Sequence, residues 1–205
     1  MFKSILIGKV GSLLLLSLAV MATITMTMIG NSSSSSNQAW AEVFEGTEGP
    51  DVIIGTEGND LIDSKADNDI NTGDTEIGDG SGDDVIVSGE GDDLNKGDTV
   101  RGSGSGDDVI FSGEGDDFNR GDTVEGEGSG NDIIVSGEGH DSNAGDAVPE
   151  RGTGSGDDVI FSGEGNDDNT GNGGRDIFVC GDGEDTVTDY NEAEGDIATP
   201  DCENV

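Results

Sequence analysis

The sequence predicts an all-β fold: a solenoid of stacked coils whose strands pair in parallel sheets, preceded by a signal peptide. Three observations predict this architecture. Residues 1–41 contain no acidic residue and enclose an apolar run. Residues 46–188 divide into nine-residue blocks that keep one phase. Most blocks have glycine early and a β-branched residue late, a pattern typical of a turn followed by a short strand.

The N-terminal segment has the three parts of a signal peptide. Lys3 and Lys9 give a positive start, residues 10–29 are uncharged and largely apolar, and residues 39–41 (Ala-Trp-Ala) form a small-x-small cleavage site. The apolar run is also close to the roughly 20 residues that a membrane span needs. An uncleaved anchor with a serine-rich linker is therefore the alternative. Both interpretations predict export, with the protein either secreted or anchored at the outer cell surface.

Acidic residues dominate the rest of the chain. The protein has 205 residues, with 46 Asp+Glu against 8 Lys+Arg and a formal net charge of -38. This charge excludes binding to the backbone of a nucleic acid and disfavours an anionic membrane surface, because both need a basic face. Leu, Ile, Val and Phe make up about one fifth of residues 42–205, which is near the composition of disordered chains. The chain is therefore either disordered or folded around cations.

Thirteen blocks and four inserts account for every residue from 46 to 188. The blocks begin at 46, 55, 64, 79, 88, 103, 112, 127, 136, 153, 162, 171 and 180, and the inserts are 73–78, 97–102, 121–126 and 145–152. The sixth position is aspartate in all thirteen blocks. The fourth is glycine in twelve, with Asp67 as the exception. A disordered acidic tail would not hold this phase, so the repeat favours a folded solenoid.

Strand alternation predicts which side chains face inward. The eighth position should point into the coil; it is apolar in eight blocks and asparagine in the other five. One sheet therefore either buries an asparagine ladder or turns it to solvent. Those asparagines are Asn71, Asn95, Asn119, Asn143 and Asn169. Within the inserts, Val100, Val124 and Val148 are expected to add a third short face.

The seventh and ninth positions should face outward and form an apolar stripe on one sheet. The stripe comprises the pairs Val85/Val87, Val109/Phe111, Ile133/Val135 and Val159/Phe161. Such a surface offers a site for self-association or for a protein partner; the alternative is that these residues serve β-propensity alone.

Stacking also superposes the turns, so that aspartates of neighbouring coils come together and repel unless a cation lies between them. Mixed carboxylate and carbonyl oxygens suit Ca²⁺, whereas Zn²⁺ and Cu²⁺ prefer His or Cys, of which the chain has one and two. Several calcium ions are the expected cofactor. The carboxylates are equivalent by repetition and lack the contrasting environments of an acid/base pair. We therefore predict no catalytic residues and no enzymatic activity.

The blocks resemble the repeats-in-toxin (RTX) family, whose haemolysin-type nonapeptide is GGxGxDxUx. The resemblance covers roughly residues 46–198. It implies a right-handed parallel β-roll over residues 42–188 with Ca²⁺ between the turns, closed by a C-terminal cap over residues 189–205. The block at 64–72 lacks the fourth-position glycine and is expected to be a degenerate or empty site.

The resemblance also implies a ligand set. Its carboxylates are the sixth-position Asp51, Asp60, Asp84, Asp93, Asp108, Asp117, Asp132, Asp141, Asp158, Asp167, Asp176 and Asp185. Its carbonyls come from the preceding glycines, represented by Gly82, Gly91, Gly106, Gly115, Gly130, Gly139, Gly156 and Gly165.

The single histidine and the two cysteines lie outside this pattern. Cys180 and Cys202 are predicted to form a disulfide that clamps the cap over the last coil, because the chain is predicted to be exported. Two free thiols in a reducing compartment are the alternative. His140 is expected to be an exposed turn residue without a metal or catalytic role.

These features together predict an exported, non-catalytic calcium-binding protein that folds on binding Ca²⁺. The alternative is a cell-surface structural or adhesive protein in which calcium is only a structural staple. An enzyme acting on an extracellular polymer is disfavoured, since the sequence offers no cleft-forming segment outside the repeats.

Overall fold

The computed structural model describes residues 42–75, 77–78, 80, 82–104, 106–122, 125–146, 154 and 156–205. The predicted signal peptide or anchor, residues 1–41, lies outside the described residues, as do Val124 and Val148 of the inserts. Within the described ranges, no helix is long and apolar enough to cross a membrane.

The described residues form a parallel β-solenoid with three sheets, which confirms the predicted fold class. Sheet A consists, in spatial order, of β1 (Val43–Glu45), β3 (Leu61–Asp63), β6 (Val85–Glu90), β9 (Val109–Glu114), β12 (Ile133–Glu138), β14 (Val159–Glu164), β16 (Ile177–Asp182) and β18 (Ile197–Ala198). Sheet B consists of β2 (Val52–Ile54), β4 (Ile70–Thr72), β7 (Leu94–Lys96), β10 (Phe118–Arg120), β13 (Ser142–Ala144), β15 (Asp168–Thr170) and β17 (Thr186–Val187). Sheet C consists of β5 (Ile77–Gly78), β8 (Arg101–Ser103) and β11 (Glu125–Glu127).

The register of the sheets follows the sequence repeat. Val85 pairs with Val109, and Val109 pairs with Ile133, so each of these coils advances by one 24-residue cycle. Coils without an insert are 18 residues long, as between Val159 and Ile177. In every block the strand begins directly after the sixth-position aspartate, and the turns therefore stack as the strands do.

Glycine is required where the six-residue strands of sheet A bend. Gly137 has a φ of 127°, and a Cβ placed on it would lie 1.9 Å from the carbonyl oxygen of Gly113 in the preceding coil. A residue with a side chain would be strained there and would also clash. The close approach of successive coils thus requires the glycine of the Ser-Gly-Glu motif that follows the apolar triplets.

One half of the core is an apolar stack contributed by sheet A. The eighth-position residues face inward, as predicted, and are at most 1% exposed. They are Ile62, Ile86, Ile110, Ile134, Ile160 and Phe178.

The other half of the core is the asparagine ladder of sheet B, which is buried rather than turned to solvent. The Nδ2 group of Asn95 donates to Oδ1 of Asn119 at 3.0 Å, and Nδ2 of Asn119 donates to Oδ1 of Asn143 at the same distance. The hydroxyl of Ser136, on sheet A, donates to Oδ1 of Asn143 at 2.7 Å. Within the ladder, neighbouring coils therefore satisfy one another's buried amides, while Oδ1 of Asn71 and Nδ2 of Asn169, at its two ends, have no partner among the described residues.

Sheet C supplies the third face that was expected from the inserts. Its strands pair Ile77 with Arg101 and Arg101 with Glu125. These residues come directly after the insert position that Val100 occupies. The Arg101 guanidinium forms an ion pair with Glu125 of the next coil, with Nε and Oε2 3.1 Å apart.

The apolar stripe on sheet A is less open than the alternation predicts, which corrects that expectation in part. Val85 and Val109 are buried, and Ile133 and Val159 are half-buried. Among the stripe residues, Phe161 is the one that is more than a third exposed, at 41%. Closely spaced neighbouring strands cover the flanks of these side chains.

The C-terminal segment closes the last coil. Strand β18 pairs with β16 of sheet A, and Asn204 bridges to β17 of sheet B. The cap also supplies one more carboxylate at each edge, since Asp196 accepts the N–H of Asp176 and Glu203 accepts that of Asp185. The solenoid therefore ends with both sheet edges covered at this end.

The predicted disulfide between Cys180 and Cys202 is present and ties the cap to β16, with a Cα–Cα distance of 5.2 Å. Cys180 takes the inward place that Ser162 has one coil earlier. We expect the double variant Cys180→Ser/Cys202→Ser to lose about 3 kcal/mol of unfolding free energy, because the denatured chain is no longer cross-linked. Denaturant unfolding of the calcium-loaded proteins measures the difference. Reductant should destabilise the parent protein and leave the variant unchanged; equal stability of parent and variant would contradict the prediction.

Candidate metal centre

The thirteen sixth-position aspartates form two rows along the edges of the solenoid. Row A precedes the strands of sheet A and contains Asp60, Asp84, Asp108, Asp132, Asp158 and Asp176. Row B precedes the strands of sheet B and contains Asp51, Asp69, Asp93, Asp117, Asp141, Asp167 and Asp185. All of them except Asp51 are buried.

In every row carboxylate except that of Asp51, one oxygen holds the neighbouring coil. The backbone N–H of Asp84 donates to Oδ1 of Asp108 at 2.7 Å in row A, and that of Asp93 donates to Oδ1 of Asp117 at 2.8 Å in row B. The same bond recurs along both rows, and it fixes the orientation of these carboxylates. The second oxygen, Oδ2, therefore has the same orientation in successive turns.

Ten of these Oδ2 atoms are buried and have no hydrogen-bond partner among the described residues. They belong to Asp69, Asp84, Asp93, Asp108, Asp117, Asp132, Asp141, Asp158, Asp167 and Asp185. A buried polar oxygen without a partner is costly and rare in folded proteins. A hard cation is a partner that satisfies several such oxygens together.

Backbone carbonyls approach the same turns. A Cβ on Gly106 would lie 1.9 Å from the carbonyl oxygen of Gly82, and one on Gly115 would lie 2.1 Å from that of Gly91. The carbonyls of Gly82 and Gly91 therefore point at glycines of the next coil, where a side chain would clash with them. This places the expected carbonyl ligands at the turns that carry the row carboxylates.

The glycines that open the inserts complete this arrangement, and sequence analysis did not include them. A Cβ on Gly97 would meet Oδ2 of Asp108 at 2.0 Å and the carbonyl oxygen of Gly121 at 2.4 Å. An unpartnered carboxylate oxygen and a carbonyl oxygen of the next coil thus converge beside one glycine. The recurrence of Gly-Asp at the start of every insert was the available signal.

The first two turns differ from the others. Oδ2 of Asp60 accepts the N–H of Thr56 at 2.6 Å and its hydroxyl at 2.9 Å. Thr47 makes the equivalent two bonds to Asp51. In both of these predicted ligands, Oδ2 therefore has a protein donor. In ten of the other eleven turns, Oδ2 has no hydrogen-bond partner among the described residues.

The block at 64–72 keeps the row geometry despite its missing glycine. Asp67 adopts a positive φ of 72° in the glycine position, and Asp69 is buried with an unpartnered Oδ2. Asp69 is therefore a further candidate ligand that sequence analysis had left out. Lys65 and Asp67 both have a positive φ, and the expectation that this block is a degenerate or empty site stays a prediction.

No three His, Cys, Asp or Glu side chains of the described ranges converge on a single point. Each candidate position instead combines carboxylates of neighbouring coils with backbone carbonyls. This donor set fits the oxygen coordination and flexible geometry of Ca²⁺, and it does not fit the nitrogen and sulfur ligands of structural Zn²⁺ sites.

A second, exposed ladder follows the fifth positions of the row B turns. The backbone N–H of Asp116 donates to Oδ1 of Asp92, and that of His140 donates to Oδ1 of Asp116. The backbone N–H of Asn166 then donates to Nδ1 of His140 at 2.8 Å. His140 is exposed, as predicted, and acts as one acceptor in this ladder.

The electrostatics of the rows oppose ionisation in the absence of a cation. Burial raises the pKa of Asp84 to about 8 and that of Asp158 to about 9, and it raises the pKa of Asp108 well above the ordinary value. In row B, burial raises the pKa of Asp93 to about 6 and that of Asp117 to about 7. Neighbouring carboxylates add to each of these increases.

These shifts predict how the calcium-free protein responds to pH. A folded-state pKa above the ordinary 3.8 means that the folded protein binds protons more tightly than the unfolded chain. The stabilisation is complete below about pH 4 and is lost as pH rises through about 6 to 9. We expect the β-signal in circular dichroism, recorded in calcium-free buffer, to be strongest in acid and to weaken towards neutral pH. A β-signal that grows with pH would show that the carboxylates are not buried.

Comparison with known proteins places the repeat in a family. No curated protein matches the chain. The family model for the RTX calcium-binding nonapeptide repeat, which spans four copies of the repeat, matches residues 41–70, 71–94, 97–118, 122–142 and 153–187. These segments cover more than half of the chain and include every aspartate of rows A and B. The protein therefore belongs to the RTX calcium-binding nonapeptide repeat family.

Proposed function

We propose that this protein is an exported calcium-binding solenoid that folds when it binds several Ca²⁺ ions and has no catalytic role of its own. The observation that carries the proposal is the set of ten buried, unpartnered Oδ2 atoms, arranged in two rows and accompanied by glycine carbonyls. Hard cations between the coils would supply the partner that these oxygens lack.

In this mechanism each ion joins two successive coils. In the folded coil, the Oδ1 atom of Asp108 accepts the N–H of Asp84, and this bond would orient the carboxylate towards the ion as the coil forms. Its Oδ2 atom, which has no hydrogen-bond partner among the described residues, would hold Ca²⁺ together with a nearby glycine carbonyl. Because every coil needs its neighbour to complete a site, binding and folding proceed together along the solenoid.

The proposed affinity links folding to location. Extracellular calcium modules bind with dissociation constants of about 10⁻⁴ to 10⁻³ M. A module of this kind stays unfolded while calcium is scarce and folds where it is abundant. The disulfide between Cys180 and Cys202 supports an oxidising, extracellular destination. The mass of the mature protein distinguishes a chain that begins at Glu42 from one that retains residues 1–41.

A cell-surface structural or adhesive role is the second candidate. It is favoured by exposed aromatic side chains on both large sheets, since Phe161 of sheet A is 41% exposed and Phe118 of sheet B is 39% exposed. Calcium would then be a staple within a surface that binds another protein or a second copy. Monomeric sedimentation of the calcium-loaded protein at high concentration would count against self-association through these residues.

Calorimetric titration tests the proposed function directly. We expect saturable binding of several Ca²⁺ ions, and much weaker binding of Mg²⁺, which demands short and near-octahedral coordination. Titration of the protein with Mg²⁺ under the same conditions is the control. The absence of saturable calcium binding, or equal affinity for both ions, would refute the proposal.

A further inference from the structure

A third line of carboxylates lies outside the nonapeptide motif. The second residue of every insert is an aspartate, and these residues recur every 24 positions along the chain. All four have no solvent-accessible surface. We call Asp74, Asp98, Asp122 and Asp146 the insert column.

One oxygen of each insert carboxylate is fixed by the turn that follows the insert. Oδ2 of Asp98 accepts the N–H of Gly106 at 3.1 Å, and Oδ2 of Asp122 accepts that of Gly130 at 3.0 Å. The backbone N–H of Asp98 in turn donates to the carbonyl oxygen of Gly121. The following turn therefore holds Oδ2 of the carboxylate, and the next coil holds the backbone of the same residue.

Among the described residues, the other oxygen of each insert carboxylate has no hydrogen-bond donor. Oδ1 is buried and unpartnered in all four members of the insert column. Successive members lie side by side on neighbouring coils, since the N–H of Asp74 donates to the carbonyl oxygen of Gly97, the residue before Asp98. Burial raises the pKa of Asp98 most, and the carboxyls of Asp74 and Asp122 also act on it. Four carboxyls stacked in this way need either shared protons or cations between them.

Neighbouring elements favour a cation. The insert column runs beside row A, and Asp98 acts electrostatically on Asp108 as Asp122 does on Asp132. Gly104 packs directly against the other side of the column, because a Cβ on this residue would lie 2.5 Å from Cβ of Asp98. Two columns of carboxylates adjoin at this edge. A proton shared by each pair of carboxylates would neutralise only part of their negative charge. Row B, whose turns carry no insert, has a single buried column, and the second ladder beside it is exposed.

We propose that the insert column binds its own hard divalent cations, with Ca²⁺ as the ion that fits, in the gaps between successive insert aspartates. Each ion bridges the unpartnered Oδ1 atoms of two neighbouring coils. These sites add to those of the nonapeptide rows and make the row A edge the more strongly calcium-loaded edge. The inference rests on the proposed function for the solenoid and assigns to the inserts a role beyond that of spacers.

The test compares two double variants with equal charge changes. Asp98→Asn/Asp122→Asn removes a carboxylate from each of the three gaps in the insert column. Asp92→Asn/Asp116→Asn makes the same change in the exposed ladder, where Asn still accepts the backbone N–H. We expect equilibrium dialysis to give about three fewer bound Ca²⁺ ions for the first variant than for the parent, and no loss for the second.

A second measurement on the parent protein decides the question if the first variant fails to fold. At neutral pH and saturating calcium, the infrared spectrum should lack the carbonyl stretch of protonated carboxylic acids. That band in the calcium-loaded protein would show that the column shares protons, and it would overturn the inference. Calcium stoichiometry equal in the parent and in Asp98→Asn/Asp122→Asn would do the same. A parent protein that binds no calcium would instead refute the proposed function.

Discussion

Removal of calcium at neutral pH is expected to abolish the β-structure of the solenoid. Ten row carboxylates have a buried oxygen without a hydrogen-bond partner in the described part of the chain, and the effective penalty for burying an uncompensated charge is several kcal/mol per ion. The net stability of a domain is about 5–15 kcal/mol, so a few uncompensated carboxylates exceed it. Circular dichroism before and after addition of a chelator measures the loss, which should be cooperative and nearly complete.

The reversal of this unfolding serves as its control. Calcium added back in excess of the chelator should restore the β-signal, whereas the same concentration of Mg²⁺ should restore much less of it. In calcium-free buffer at about pH 4 the protein should keep more of its structure, because the raised pKa of carboxyls such as Asp84 lets them remain protonated. A calcium-free spectrum that is rich in β-structure at neutral pH and indifferent to calcium would refute calcium-dependent folding.

The substitution Asn119→Ala is expected to destabilise the calcium-loaded protein by about 3–5 kcal/mol. Asn119 is fully buried in the middle of the asparagine ladder, where it accepts from Asn95 and donates to Asn143. Truncation leaves the Nδ2 group of Asn95 without its acceptor, at a cost of about 1–3 kcal/mol. It also opens a cavity in the core, which adds to the loss. Denaturant unfolding in saturating calcium measures the change.

Asn131→Ala is the matched control for the ladder. Asn131 also bridges two coils, since its side chain donates to Asp107 and accepts from Asp157, but it is exposed to water. Water replaces the lost partners there, so the change should be below about 1 kcal/mol. Equal destabilisation by the two substitutions would mean that burial of the asparagine ladder contributes nothing to stability.

The strand register could be predicted because one residue type marks it. Aspartate at the sixth position fixes where each strand begins, and β-branched residues at the eighth fix which face is inward, as Ile86 and Ile110 confirm. The disulfide could be predicted because the two cysteines have no other partner in the chain. Both inferences depend on local pattern, which a sequence displays directly.

The burial and hydrogen bonding of the polar residues could not be predicted in the same way, because they depend on which groups the next coil places beside them. Asn95 and Asn119 are buried only because each satisfies the other across a coil boundary. Asp98 was passed over because it lies in an insert, and its burial follows from the return of the chain at Gly106. Asp60 has a local donor in Thr56, whose place in the turn gave a signal that sequence analysis did not use.

The most direct test of calcium between the coils is to locate the ions by anomalous diffraction from crystals of the calcium-loaded protein. We expect columns of peaks along rows A and B, each about 2.3–2.6 Å from an Oδ2 atom and from a glycine carbonyl of the adjacent coil. The atoms of Asp108 and Gly121, which already converge beside Gly97, mark one such position. Peaks confined to exposed side chains such as Glu114, with the row oxygens uncoordinated, would contradict the account.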